Sequence, residues 1–311
     1  MQGPPIDQAV SIAGLSTVLG EHEVTASALA SAHGTSESTI LRSLGGARVY
    51  SSERDLSDIA LDAARLAIAR ADLAPSALSA LAFIGGDPLS LQHALGASSA
   101  FTLESGSDCT SLLAATHAAY HLIRGEPGVN AVMLAAAERR GDSAQRTIGK
   151  IDEQTTRDVF SDGGAAFVLR RGGERLVMLG VGAATDGTYQ SHWNDKRKGV
   201  GVSDVEVMVA ALPLFREGFA RCLRSANVER AAIDILVFPS EGATLPYTFA
   251  RTIGMPREKV FIASDAPSHV GASDLVFSLE HLLVSDLAKP GSVVLVCART
   301  IGVVRFAMLR L

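Results

Sequence analysis

Aromatic residues are scarce in this 311-residue chain, at 5%, and tryptophan occurs once, as Trp193. A core with few large rings is filled by close approach of helices and sheets, which abundant alanine and 29 glycines permit. Cysteine is also sparse. Cys109, Cys222 and Cys297 are too few and too odd in number for a disulfide framework, so a reduced, cytoplasmic protein is expected. No apolar run reaches the length that spans a bilayer. The opening Met1-Gln2-Gly3-Pro4-Pro5-Ile6-Asp7 lacks the charged and apolar regions of a signal peptide. A net charge of −5 offers no general attraction for nucleic acid or an anionic membrane, so neither is an expected partner.

What is present argues for an ordered α/β protein. Apolar residues make up 47% and charged residues 20%, a balance that excludes a disordered or fibrous chain. The length suits one large domain or two intimately packed ones, burying roughly three quarters of the unfolded surface. Strand-like and helix-like segments alternate. Ser57–Ala71 carries apolar residues at helical spacing, and Leu78–Ile84 reads as a buried strand ended by Gly85-Gly86. A helix is predicted over Thr110–Arg124, stopped by Gly125-Glu126-Pro127-Gly128. Ala131–Ala136 and Ala165–Leu169 read as further strands, the latter followed by Arg170-Arg171-Gly172-Gly173, a half-boundary.

The second half repeats this order. Ile233–Phe238 answers Leu78–Phe83, Lys289-Pro290-Gly291 answers Glu126-Pro127-Gly128, and Val293–Ala298 answers Ala131–Ala136. The turn Ser264–His269 precedes a predicted helix running to about Leu287, as Gly106–Cys109 precedes the earlier one. Two duplicated halves, residues 1–172 and 173–311, are expected to pack about a pseudo-twofold axis. Cys109 and His269 would then face one another at helix starts.

Cys109 carries the chemistry. A helix N-terminus stabilises a thiolate and offers a backbone donor to the oxyanion of an acyl intermediate. An arbitrary cysteine is more often a buried structural residue, and Cys222 and Cys297, inside apolar patterns, are assigned that role. The position of Cys109, between a polar turn and an Ala/Leu-rich helix, favours a nucleophile.

The chain resembles the 3-oxoacyl-acyl-carrier-protein synthase III family over nearly its whole length. Ser107-Asp108-Cys109-Thr110-Ser111-Leu112 matches the family's nucleophile segment. Phe160-Ser161-Asp162-Gly163-Gly164-Ala165-Ala166 matches its F-G-D-G-A-G-A, and Ala13-Gly14-Leu15 with Glu21–Thr25 echo its opening motif. The helix-rich stretch ahead of Leu78–Ile84 also corresponds. The resemblance implies a thiolase-like, five-layered α-β-α-β-α fold and a homodimer, with the hydrophobic segment Ala97–Leu103 at the interface. Ala97–Leu103 is thereby expected to be a strand. The resemblance also implies no permanently bound cofactor, the acyl donor being a phosphopantetheine thioester on coenzyme A or acyl carrier protein.

Departures from the family motifs shape the functional expectation. The family's H-Q-A-N falls on Ser240-Glu241-Gly242-Ala243, and its G-N-T-S on Ser268-His269-Val270-Gly271. The C-terminal Gly-Gly-Gly falls on Arg299-Thr300-Ile301. Decarboxylative condensation uses a histidine and an asparagine as paired donors, whereas here one histidine stands at the asparagine's place. That pattern resembles the branch that transfers acyl groups in polyketide and antibiotic pathways. Acyl-Cys109 would be transferred to a small-molecule alcohol, amine or thiol deprotonated by His269. The alternatives are a true condensing enzyme and a non-catalytic partner of an active paralogue.

Ser240, Glu241 and Thr300 are the supporting candidates, Glu241 balanced between orienting His269 and being an ordinary loop carboxylate. Asp162 is expected to fix a turn. His117 and His121 have zinc-like spacing without a third ligand, so packing roles are expected and no metal site. His93, His192 and His281 have no motif around them. Asp195-Lys196-Arg197-Lys198 reads as a solvated loop, with carrier docking the minority reading. Gly85-Gly86 and Gly163-Gly164 are turn glycines, not a phosphate loop.

Overall fold

The computed structural model describes residues 9–43, 48–106, 108–139, 161–189, 204–240, 244–263, 266–300 and 302–311. Its strands are β1 (Val10–Leu19), β2 (His22–Thr25), β3 (Arg48–Ser51), β4 (Ala80–Ile84), β5 (Phe101–Leu103) and β6 (Ala131–Glu138). There follow β7 (Gly163–Arg171), β8 (Val177–Thr185), β9 (Ile235–Val237), β10 (Val260–Phe261), β11 (Val293–Thr300) and β12 (Val303–Arg310). The described α-helices are α1 (Ala26–His33), α2 (Glu37–Ser43), α3 (Leu56–Arg70), α4 (Pro88–Leu95) and α5 (Ser111–Gly125). The second half adds α6 (Asp204–Ala226), α7 (Leu245–Thr252) and α8 (Asp274–Leu283).

Ten strands join in the order β10-β9-β11-β12-β8-β1-β7-β6-β4-β5. The central pairing, β1 with β8, involves only Val10↔Met178 and Ser11↔Val177, so the sheet is two blocks joined at a narrow seam. Outward from that seam the blocks match strand for strand. β7 is antiparallel to β1 as β12 is to β8, and β6 is antiparallel to β7 as β11 is to β12. β4 and β5 then add in parallel, as β9 and β10 do.

Three buried cores define five layers. The middle core joins the inner faces of both blocks through α5 and α8. One outer core packs α3 and α4 on the first block, and the other packs α6 and α7 on the second. Every residue of β6 is buried, consistent with a strand covered on both faces. Because so many of these residues are alanine and glycine, helices approach the sheet closely. An added Cβ at Gly14 on β1 would lie 2.4 Å from Ala67 O of α3, and one at Gly182 on β8 would lie 2.4 Å from Cys222 N of α6. The two glycines occupy corresponding strands beneath corresponding helices. Where α6 and α7 meet, Phe215 stacks on Phe249 with ring centroids 4.1 Å apart.

Several expectations are corrected. The helix after His269 is shorter than predicted: a 3-10 turn, Gly271–Ser273, intervenes and α8 ends at Leu283. The strand expected from Ala97 is only Phe101–Leu103, because Ala97–Ala100 form a turn closed by an Ala100 N–H to Ala97 O bond of 2.9 Å. β1, which forms the seam, precedes the helix-rich segment, and β8 and β12 were not anticipated as strands. No helix among the described residues is long and apolar enough to cross a membrane.

Overpacking governs the expected response to substitution at the helix–sheet contacts. Gly182→Ala should destabilise by about 1–3 kcal/mol, because backbone atoms of α6 must move. Gly128→Ala, with no atom within 4 Å of the added Cβ, should change stability by less than about 0.5 kcal/mol. Urea unfolding of the two variants checks this.

Candidate active site

Asp108 organises the turn that presents Cys109. Its Oδ1 accepts from Thr110 N and Thr110 Oγ1, both at 2.7 Å, and from Ser111 Oγ at 3.2 Å. This carboxylate thus serves as a cap at the start of α5, where no side chain of Thr110 does so. Cys109 is partly exposed, with a free thiol. No acceptor among the described residues takes its backbone N–H, which leaves that donor open to a substrate oxygen.

The segment carrying His269 is pinned from two sides. Ser268 N–H donates to Arg48 O at 2.7 Å beside the Arg48↔Pro267 bridge, and Ser161 N–H donates to His269 O at 2.8 Å. Asp162 completes the clamp through Asp162 N–H to Tyr50 O at 2.7 Å and Ser52 N–H to its own Oδ2 at 2.8 Å. Asp162 is therefore the turn-fixing residue expected, and its neighbour Ser161 holds the histidine loop. Gly271 adopts a left-handed φ of 57°, and a Cβ there would lie 2.4 Å from the Glu138 carboxyl group. Only glycine lets the chain turn so tightly between His269 and α8. The turn is tied to β6 by Ser273 Oγ donating to Ala136 O at 3.1 Å.

These supports bring three side chains into line. Cys109 Sγ lies 3.4 Å from His269 Nε2, while His269 Nδ1 contacts Asp274 Oδ2 on the opposite side of the ring. Ser240 N–H also donates to Asp274 Oδ2, at 2.7 Å. His269 is 7% exposed and Asp274 is fully buried. Burial alone would push the imidazole pKa down, but the charges of Asp274 and the Cys109 thiolate outweigh it. His269 is thereby held well above the ordinary histidine range. Thiol, imidazole and carboxylate thus stand in line, an arrangement able to act as nucleophile, base and orienting acid.

The sequence reading brought Cys109 and His269 together but missed Asp274. A signal was present: Asp274 stands ahead of the apolar Leu275-Val276-Phe277, with no cation one turn on to pair with it. Ser240 contributes its backbone rather than its hydroxyl. Thr300, partly buried at the end of β11, makes no hydrogen bond to these residues. Glu241, His192 and Asp195–Lys198 lie outside the described residues. His117 is a satisfied interior histidine, its Nε2 2.9 Å from Phe306 O, while His121 packs edge-on against Tyr120. Cys222 is buried, which pushes its thiol up to about 12, and Cys297 is buried in β11. Among the described residues no group of three His, Cys, Asp or Glu is placed to hold a metal ion. α5, α8 and the inner faces of both blocks line an apolar cavity of about 40 Å³.

Comparison with known proteins agrees with this architecture. The chain is 25% identical to the beta-ketoacyl-[acyl-carrier-protein] synthase III of Rhizorhabdus wittichii, over 90% of this chain and 92% of that one. Identity to the same enzyme of Erythrobacter litoralis is 23%, over 92% and 94%. Among solved structures, the 3-oxoacyl-[acyl-carrier-protein] synthase III of Aquifex aeolicus matches with a TM-score of 0.81 at 19% identity, covering 97% of this chain and 100% of that one. A cerulenin-bound structure of OleA from Xanthomonas campestris matches with a TM-score of 0.81 at 15% identity, covering 100% of each chain. No family model matches the sequence. The thiolase-like α/β fold is thus the observed one, and the resemblance to synthase III extends over most of the chain.

His117 gives a pH-dependent expectation. Burial lowers its pKa to about 4, so it is neutral in the folded protein and protonates near 6.5 once unfolded. The unfolded state therefore binds the extra proton, and stability is lost as pH falls from about 6.5 toward 4. The loss approaches about 3 kcal/mol at the lower end. His117→Gln should lose less stability over that window than the wild type, as read from urea midpoints at pH 7 and pH 4.5.

Proposed function

We propose that this chain is an acyltransferase of the synthase III type. It moves an acyl group from a coenzyme A or carrier-protein thioester, through acyl-Cys109, to an alcohol, amine or thiol acceptor in a secondary-metabolite (polyketide or antibiotic) pathway. The observation that carries this reading is Asp274 on His269 Nδ1. It orients the imidazole as a base toward Cys109, while the place of the family's paired donor is held by Ser240.

In the resting site the Cys109 thiolate is paired with the His269 imidazolium, which is oriented by Asp274. The thiolate attacks the thioester carbonyl, and the Cys109 N–H, at the start of α5, receives the oxyanion. Collapse of the tetrahedral intermediate breaks the bond to the carrier sulfur, which takes the His269 proton and leaves as a thiol. Acylation removes the Cys109 charge, one of the influences that raise the His269 pKa. The imidazole is then neutral and accepts the proton of the incoming O–H, N–H or S–H. The second collapse releases the acylated product and restores the ion pair, with Asp274 holding Nδ1 in both steps. Residues 1–172 supply the nucleophile in this account, and residues 173–311 the base and its orienting acid.

A condensing reaction needs two positioned donors for the enolate, and loss of one such donor costs about 2.7–4 kcal/mol. Ser240 and His269 do not supply that pair, because His269 Nε2 faces the thiol. A non-catalytic role has no use for a buried carboxylate aligned on a histidine and a thiol. A homodimer is the expected assembly, formed along β5, where Phe101 is 46% exposed at the sheet edge and Leu89 of neighbouring α4 is 60% exposed. Such an interface should bury roughly 2,000 Å² or more.

Intact-mass analysis after incubation with acyl thioesters should show one acyl group on the wild type and none on Cys109→Ala. Stoichiometric acylation of that variant would remove the assignment. Asp274→Asn should retain the fold and lose acyl transfer by about 10²–10⁴-fold. The wild type should release little carbon dioxide from labelled malonyl carrier protein, whereas brisk release with a β-keto product would favour condensation. Sedimentation at micromolar concentration should show a dimer.

A further inference from the structure

Arg305 lies on β12, two residues before Ala307, the first of two β12 residues that line the apolar cavity beside α5. Along β12, Phe306 and Met308 face the outer core, while Ala307 and Leu309 face inward and line the cavity behind α5. Strand alternation puts Arg305 on the same inward face, one step nearer the catalytic end. Its guanidinium interacts electrostatically with Asp108, the residue before Cys109, and with His117 two turns along α5.

This half-buried side chain is satisfied only in part. Its Nε is buried without a hydrogen-bond partner, and none of its side-chain donors bonds to any described residue. Asp108 acts on it through charge and not through a hydrogen bond, its Oδ1 being engaged at the start of α5 by Thr110 and Ser111. Burial lowers the guanidinium pKa, while the Asp108 charge opposes the shift. A buried donor without a partner is costly to keep, and a guanidinium is shaped to receive a carboxylate through paired N–H donors.

We propose that Arg305 binds a carboxylate at the far end of the acyl group, so that the donor is a dicarboxylic acyl thioester of malonyl to succinyl length. The proposal rests on acyl-Cys109 as the intermediate. It adds a reason for transfer over condensation. Decarboxylation turns the carboxylate into neutral carbon dioxide, so an ion pair that stabilises the carboxylate opposes it. A malonyl group held this way would pass intact to the acceptor.

The test compares the rates at which malonyl-, succinyl-, acetyl- and butyryl-coenzyme A acylate Cys109, read by intact mass. The wild type should favour the carboxylated donors over the neutral ones by tenfold or more. Arg305→Met should lower that selectivity ratio about ten- to a hundredfold, the worth of a charge-assisted hydrogen bond, and Arg305→Lys should retain part of it. Thermal melts of both variants establish folding, and the wild-type ratio stands on its own if either fails to fold. Equal or faster loading of acetyl and butyryl groups by the wild type would overturn the carboxylate proposal while leaving acyl-Cys109 intact. An unchanged ratio in Arg305→Met would also overturn it. Failure of every donor to label Cys109 would sink this proposal together with the acyl-cysteine reading.

Discussion

A carboxylate with no exposed surface, Asp274, is the charge on which the rest of this site depends. Burying an ion is tolerable only when partners replace the water it has lost. Asp274 Oδ2 receives both His269 Nδ1 and the Ser240 N–H, while Oδ1 is buried without a hydrogen-bond partner, and the first turn of α8 adds the favourable end of the helix dipole. Stripping away one partner of such a buried ion pair typically costs about 3–5 kcal/mol. The same contact fixes the ring so that Nε2 points at Cys109. Stability of the charge and orientation of the base therefore have one cause.

The matching strand order of the two blocks explains how the groups meet. Both blocks run their parallel strands toward the same region, and the segments leading into α5 and α8 emerge there. Open α/β sheets generally present ligand sites at the carboxyl ends of their strands. The first block contributes a turn capped by Asp108 that exposes a thiol. The second contributes a loop held by Arg48 and Ser161 and turned sharply at Gly271, which carries a base and then an acid. Corresponding places in the two blocks thus carry different side chains, a thiol in one and an imidazole with a carboxylate in the other.

Much of this was legible in the sequence, and the exceptions have physical reasons. Periodicity located α3, α5, β4, β6 and β11 to within a few residues, because each packs on a continuous core. Cys109 and His269 stood out as reactive side chains ahead of apolar helices. Asp274 did not, because a first-turn acid on a helix ordinarily reads as a dipole or capping residue. Only the three-dimensional turn through Gly271 shows it pointing at the imidazole. β1, β8 and β12 escaped because glycine, serine and arginine interrupt their apolar alternation. Gly14 and Gly182 are there to admit the crossing helices, and Arg305 faces the interior for a reason that no strand pattern encodes.

The central claim is that His269 is charged opposite a free thiolate and becomes a neutral base once Cys109 is acylated. Nuclear magnetic resonance of protein with ¹⁵N-labelled histidine measures this directly, by titrating His269 before and after the Cys109 sulfur is capped with a neutral group. The account predicts that the His269 pKa starts above the ordinary histidine range and falls on capping, with the proton on Nδ1 retained toward Asp274. A His269 pKa that is unmoved by capping, or a proton retained on Nε2 instead, would contradict it.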